Sequence, residues 1–241
     1  MRYRSASTPR FSVIVPTLQR ATELVPLVDM CARHPLVGEV IVVNNAPAPL
    51  HWHSDKVHVL DQEENIFVNP AWNLGVSCAK EDLVAVVNDD VLFDPKVFDA
   101  VAEKLSKPWV GMIGLDGAFI NRKVYSGVRF RLATYSHITL GFGVFMAMRR
   151  SDYLPIPNGP KIWGGDDWLF MTQRRPNWVI QGGSFRTDMS VSSSSAEFQC
   201  MRLEEVRLTE QILRSRTGRC WWRWPMRAIE LARKLRGRLT L

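Results

Sequence analysis

Residues 83–88 read Leu-Val-Ala-Val-Val-Asn, an unbroken apolar run that stops at an amide and is followed by two acids, Asp89 and Asp90. A run without polar alternation is what a central parallel strand needs when both faces of its sheet are covered. Two further β-branched runs, "FSVIVP" (11–16) and "EVIVV" (39–43), flank a segment with Leu24, Val28 and Cys31 at helical spacing. "VHVL" (57–60) reads as another strand, and "NPAWNLGVSCAK" (69–80) as a helix with Asn69 as N-cap and Pro70 at its first position. A helix over 95–105 follows, capped by Asp94. This alternation, sustained to about residue 115, predicts a right-handed, doubly wound α/β sheet.

Ligands of such sheets bind outside the carboxyl ends of the strands. Asn88, Asp89 and Asp90 lie at one such end, and Pro16–Thr17 and Asn44–Asn45 at two others, so three strands deliver polar groups to one rim. Adjacent acids repel unless a cation or hydrogen-bond donors compensate. A hard divalent cation shared with substrate phosphates is one such partner, and a turn with capping acids is the plainer alternative. A second pair stands in "WGGDDW" (163–168). Gly164 and Gly165 allow a close backbone approach, Trp163 and Trp168 offer flat apolar faces of the kind sugars pack against, and Asp166 and Asp167 open a helix. One Asp suffices for an N-cap, so the pair points to a site. Together the two pairs suggest a division of labour in which the first holds a nucleotide diphosphate and the second supplies a general base.

At 241 residues and 46% hydrophobic composition the chain can form one catalytic-size domain with an appendage. Its four cysteines form no Cys-x-x-Cys pair, which reads as reduced thiols of a cytoplasmic protein. Pro16 breaks the first apolar stretch too early for a signal-peptide core, and no run approaches a bilayer span, so contact with a membrane would be peripheral. The net charge of +7 is concentrated late in the chain, where residues 200–241 carry eleven Lys and Arg against four acids. From about residue 196 the pattern is helical, with Leu203, Val206 and Leu213 on one face. After Pro225 a second helical pattern places Ala228, Leu231, Leu235 and Leu239 on an apolar stripe and Arg227, Lys234 and Arg238 on another face.

The order of these segments resembles the inverting nucleotide-sugar glycosyltransferases of the GT-A fold, in particular the large family two group. "FSVIVPTLQR" and "EVIVVNNA" are similar to that family's first two strands, and "ENIFVNPAWN" to its Asn-x-Gly…Asn segment, with Asn65 and Asn73 in place. "VVNDDVLFDP" stands where its metal-binding acids lie, and "IWGGDDWLFMTQRR" where its acidic acceptor motif lies. The resemblance covers residues 11–195. It implies a GT-A, Rossmann-like fold, a mixed but mostly parallel sheet flanked by helices, with residues 1–195 as the catalytic domain and 196–241 as a basic helical C-terminal extension. It implies donor contacts from Pro16, Thr17, Arg20, Asn45, Asn73, Asn88 and Asp89, a metal ligand in Asp90, a catalytic base in Asp167, and Asp166 holding the acceptor or the base. The implied cofactor is Mn²⁺ or Mg²⁺, and the implied donor a nucleotide diphosphate sugar, UDP by family frequency. Phe67 and Trp72 depart from the family's usual Gly and Arg. Around "DMSVSSSS", where the family often supplies a His ligand, only Ser and Asp188 stand, which leaves the metal requirement open.

Two other classes fit parts of the pattern. A nucleotidyltransferase shares the sheet and the carboxylates, but "PTLQRATEL" lacks the Gly-rich phosphate loop of that class. A non-catalytic nucleotide-sugar binding module is the other. The basic tail, with Trp221, Trp222 and Trp224 among arginines, fits a solvated helix face, an anionic membrane surface carrying a lipid-linked acceptor, or nucleic acid whose hydroxylated base is the acceptor. The continuation of basic residues past the tryptophans tilts the reading to nucleic acid; a soluble glycan or protein acceptor stays open.

Overall fold

The computed structural model describes residues 9–122, 127–138, 141–188 and 196–216, together with helical residues 227–229, 231–232 and 235. Ten strands and six α-helices alternate along the described chain: β1 (Phe11–Thr17), α1 (Leu24–Arg33), β2 (Val37–Asn44), β3 (Val57–Asp61), α2 (Val68–Cys78), β4 (Leu83–Val87), β5 (Val91–Leu92), α3 (Lys96–Leu105) and β6 (Ile113–Leu115). They are followed by β7 (Val128–Leu132), α4 (Tyr135–Ile138), β8 (Phe145–Arg149), α5 (Gly165–Thr172), β9 (Trp178–Gly182), β10 (Arg186–Thr187) and α6 (Ala196–Arg216).

Eight strands form one sheet in the order β3-β2-β1-β4-β8-β6-β9-β7. The first half is parallel, as its β-branched runs predict, with Val13 opposite Val40 and Ala85. β8 then enters antiparallel between β4 and β6, and β7 closes the far edge antiparallel to β9. The sheet is therefore mixed, and its parallel half carries the strand ends that face the site.

The period of two sorts side chains into two cores. Phe11, Val13, Val15, Ala85 and Val87 pack with α1 and α3, whereas Ile14, Val84 and Val86 pack with α2 and α5. On the first face Phe93, Phe98, Phe145 and Phe185 form a ring cluster with centroids 5.0–6.2 Å apart, tying β8 and the segment before β10 to the α3 layer. Arg149 closes the far end of the sheet, its guanidinium donating to the carbonyls of Leu105, Lys107 and Val110.

Three details differ from the pattern reading. Asn69 is not the cap of α2: the helix starts at Val68 behind Phe67, and Asn69 Nδ2 instead donates to the carbonyls of Pro160 and Trp163 at 3.1 and 3.3 Å. Trp168 is 2% exposed and gives its indole N–H to Leu154 O, so it is a core residue and offers no face to a sugar. On α6, Leu203 and Val206 are exposed while Glu205 and Thr209 are buried, with Ile212 and Leu213 packed on the core. The buried face of α6 is thus partly polar, and its reason lies in the site. Of the tail stripe, Leu231 and Leu235 are exposed, and Leu239 lies outside the described residues.

Candidate active site

The carboxyl ends of β1, β2 and β4 open on a cleft of about 140 Å³ lined by Pro16, Thr17, Arg20, Asn45, Asp89 and Asp90 on the strand side. Asn65, Phe67, Ile162 and Trp163 line it from the other. Six of the donor and metal residues expected from the sequence therefore meet in one cavity. Asn88 precedes Asp89 at the end of β4 without lining the cavity, and its N–H donates to Val144 O at 3.1 Å. Asn73 is placed elsewhere: its amide donates to Ile156 O, and its oxygen accepts from Ile156 N and the Tyr153 hydroxyl. These bonds commit Asn73 to holding the 153–156 segment against α2, so it does not line the cleft.

The strand ends are braced before any ligand arrives. Thr17 Oγ1 donates to Asp89 Oδ2 at 2.6 Å and accepts from Gln19 N at 2.8 Å. Asn45 N donates to Thr17 O, and its side-chain oxygen accepts from Ile66 N. Behind them the fully buried Asn44 bonds Ala48 O and Asp61, and Gln19 reaches back to its oxygen at 3.0 Å. Gln19 takes φ 57°, the left-handed turn that brings the chain from β1 round the cleft.

Burial pushes the Asp89 carboxyl up to about 6, and the neighbouring Asp90 charge adds to the shift while the Thr17 hydroxyl opposes it. Asp90 is raised above the ordinary carboxylate range, first by burial, with Glu23 and Asp188 contributing repulsion. The two acids differ in commitment. Asp89 spends an oxygen on Thr17, whereas Asp90 Oδ1 is buried with no hydrogen-bond partner. An orphaned carboxylate oxygen in a cleft fits a cation, and it singles out Asp90 over Asp89. Among the described residues no three His, Cys, Asp or Glu form a ready-made metal cage, so a cation there would need water or substrate oxygens to complete its shell.

The second acid pair stands at the start of α5. Asp166 Oδ1 accepts from Asp167 N at 3.0 Å, and its other oxygen lies against Gly143, where a Cβ would come to 3.1 Å. The 142–144 turn thus lies between Asp166 and Asn88, the residue that precedes Asp89 and Asp90. Burial and the Asp167 charge push Asp166 up to about 7; Asp167 is raised by burial, with repulsion from Glu210 of α6. A carboxylate pair raised above the ordinary range by burial is suited to accept a proton.

The two glycines before the pair serve the approach of protein to protein. Gly164 has φ 79° and any Cβ on it would collide with Thr209, while a Cβ on Gly165 would collide with Asn69 Oδ1. Glu205, 6% exposed, accepts from the N–H groups of Lys161, Ile162 and Trp163 at 3.0, 2.9 and 2.9 Å. α6 therefore clamps the strand-to-helix loop that presents Trp163 to the cleft and leads into Asp166. The sequence pattern did not single out Glu205; a glutamate among three expected apolar positions of an otherwise amphipathic helix was the available signal.

Phe67, singled out in the sequence by its departure from the family's usual Gly, stands in the cleft wall. It adopts φ 67° and ψ −176°, a region essentially reserved for glycine and costing about 1–3 kcal/mol. Its ring lines the cleft under the Lys161 ammonium, 4.7 Å from the centroid. Phe67→Ala keeps the strain and loses the ring, whereas Phe67→Gly loses both. The glycine variant is expected to melt about 2–4 °C above the alanine variant, against the usual order, with nucleotide affinity reduced about tenfold in both. Thermal melts of the pair decide it: an alanine variant at least as stable as the glycine one means that the backbone is unstrained.

Comparison with known proteins bears on this arrangement. Residues 12–177 match the family model described as glycosyl transferase family 2. The chain belongs to that family. It is a glycosyltransferase, and its fold is that of solved glycosyltransferase structures. TarS residues 1–349 from S. aureus superpose with a TM-score of 0.55 at 16% identity, over 85% of this chain and 69% of that one. The mannosyltransferase PcManGT from Pyrobaculum calidifontis, solved with GDP-Man and Mn²⁺, gives 0.56 at 15% identity, over 94% and 75%. A mycobacterial protein gives 0.58 at 14%, over 85% and 74%. No curated protein matches the chain. Among the described residues no helix is long and apolar enough to cross a membrane.

Proposed function

We propose that this glycosyltransferase moves a sugar from a UDP-linked donor to an acceptor hydroxyl with inversion at the anomeric carbon. The observation that carries the reading is that Asp90, with a buried unpartnered oxygen, lines the cleft, while the 142–144 turn lies between the end of β4 and Asp166. Pro16, Thr17, Arg20 and Asn45, which line the cleft, take the nucleobase, and Asp89, with Asn88 beside it at the end of β4, serves the ribose and diphosphate. Nucleotide-sugar binding is supported by solved structures of similar fold, PcManGT with GDP-Man and TarS with UDP-GlcNAc.

Asp167 accepts the acceptor O–H proton as that oxygen bonds to the anomeric carbon. The bond from this carbon to the diphosphate breaks on the opposite face, its electron pair leaving with the nucleotide. A single displacement of this kind inverts the centre. Asp166 holds the acceptor or the base. A Mn²⁺ or Mg²⁺ ion on Asp90, when bound, stabilises the charge developing on the leaving diphosphate.

For the acceptor, the basic excess of residues 200–241 supports a hydroxylated base in DNA. One observation favours a second reading. Leu231 and Leu235, 60% and 52% exposed, present an uncovered apolar stripe, which suits an anionic membrane surface with a lipid-linked acceptor. Mass spectrometry after incubation with a panel of nucleotide sugars, with hydroxymethylated DNA and a lipid-phosphate acceptor in parallel, tests both. Gain of one sugar mass on either substrate names the acceptor class. No product, no donor hydrolysis and no nucleotide-dependent thermal shift would leave a binding module or a different donor class.

A further inference from the structure

The short ladder between β5 and β10 follows directly on Asp90, with Val91 in the core and Thr187 buried beside it. Its register pairs Thr187 with Val91 and Arg186 with Leu92 in antiparallel sense. One step further along the same register sets Asp188 opposite Asp90. Two acids facing each other across an antiparallel pair are destabilising unless something compensates them.

The neighbouring hydroxyl points the same way. Thr187 is 6% exposed, yet its Oγ1 has no hydrogen-bond partner of good geometry, although it lies close enough to the Asp90 carboxyl to influence it. Asp90 Oδ1, likewise buried, is also unpartnered. The Thr187 hydroxyl and the Asp90 carboxylate thus face each other without a well-formed hydrogen bond where satisfied groups are the rule. Their position is fixed from outside: Asn121 Nδ2 donates to Thr187 O at 2.9 Å, and Asn121 Oδ1 accepts from Thr187 N at 3.1 Å. Asn121 takes φ 56° to do so, and its own N–H donates to Phe185 O. An asparagine that grips both backbone groups of one threonine is a support for whatever that threonine holds.

We propose that Asp188 and the Thr187 hydroxyl join Asp90 as the protein's share of a divalent-cation site, the carboxylate of Asp188 supplying the ligand that no histidine provides. This deepens the sugar-transfer reading and rests on it for the remaining ligands, which are diphosphate oxygens and water. The donor set is all oxygen, so it accepts Mg²⁺ and Mn²⁺ alike, whereas a nitrogen ligand would favour Mn²⁺.

The test is electron paramagnetic resonance of Mn²⁺ titrated into the full chain, with and without UDP, for the wild type, Asp188→Ala and Asp188→His, each checked for folding by circular dichroism. The expected result is at least tenfold weaker Mn²⁺ binding in Asp188→Ala. In Asp188→His, Mn²⁺ binding is retained, but Mg²⁺ displaces it about tenfold less well than in the wild type. Equal affinity in wild type and Asp188→Ala, or no Mn²⁺ bound in either arm, overturns the proposal. The donor reading fails separately: if no nucleotide shifts the melting temperature while Mn²⁺ alone binds and is lost in Asp188→Ala, the metal site stands and UDP-linked transfer does not.

Discussion

Asp167→Asn is expected to lower sugar transfer by about 10² or more while leaving nucleotide binding intact. The amide keeps the shape of the helix start but cannot take a proton. The pH profile adds a test that a merely structural role would not pass. A base must be ionised, and burial holds both carboxyls of the pair above the ordinary carboxylate range, so the rate rises with pH above that range rather than within it. Asp166→Asn removes the neighbouring charge and moves that rise to lower pH. The same substitution also raises the melting temperature above neutrality. The folded-state titration of Asp166 lies above its ordinary value, so its ionisation opposes folding: the penalty is absent below the ordinary carboxylate range, grows as pH rises, and is full above about 7. Unchanged turnover in Asp167→Asn, or a rise that stays in place in Asp166→Asn, would remove the pair from the proton transfer.

Why these acids could be found in the sequence, and their supports could not, follows from how each is specified. Leu83–Val87 is apolar on both sides because β4 is covered on both faces, so the run and the polar residues ending it are visible as composition. The β1 and β2 ends are legible for the same reason. The strand direction of β8 is not, because Phe145–Met148 is equally apolar whichever way it runs. Phe67 defeats a capping rule that looks for Asn or Pro, since its backbone is held by the fold around the cleft against its own preference. Gly164 and Gly165 were visible, but what they approach, Thr209 and Asn69, lies far along the chain. Glu205 is the clearest case: a helix pattern assigns buried positions to apolar side chains, and a buried carboxylate is justified only by three amides more than forty residues earlier.

Glu205 also sets the second large effect. Its carboxylate is the sole side chain seen to receive Lys161, Ile162 and Trp163 N–H groups among the described contacts, and each such bond to a charged acceptor contributes about 1.5–3 kcal/mol. Glu205→Ala leaves three amides to find water in a half-buried loop, so a loss of about 3 kcal/mol or more is expected, a fall in melting temperature of about 6–12 °C for a chain of this size. Glu205→Gln keeps one acceptor oxygen and should fall between. Activity should drop further than stability explains. Trp163 lines the cleft proposed for the donor and the proposed base pair Asp166–Asp167 follows within one turn, so loosening 161–163 is expected to disturb both, and displacements of about 1 Å are enough to cost about 10² in rate. Measured below the melting transition, the alanine variant should therefore show a lowered kcat with a raised donor KM, and faster amide exchange confined to residues 161–168. A variant that loses stability but keeps wild-type kcat would make α6 a prop for the fold alone. Loss of both would make α6, which lies beyond the 12–177 span of the family match, part of the catalytic apparatus.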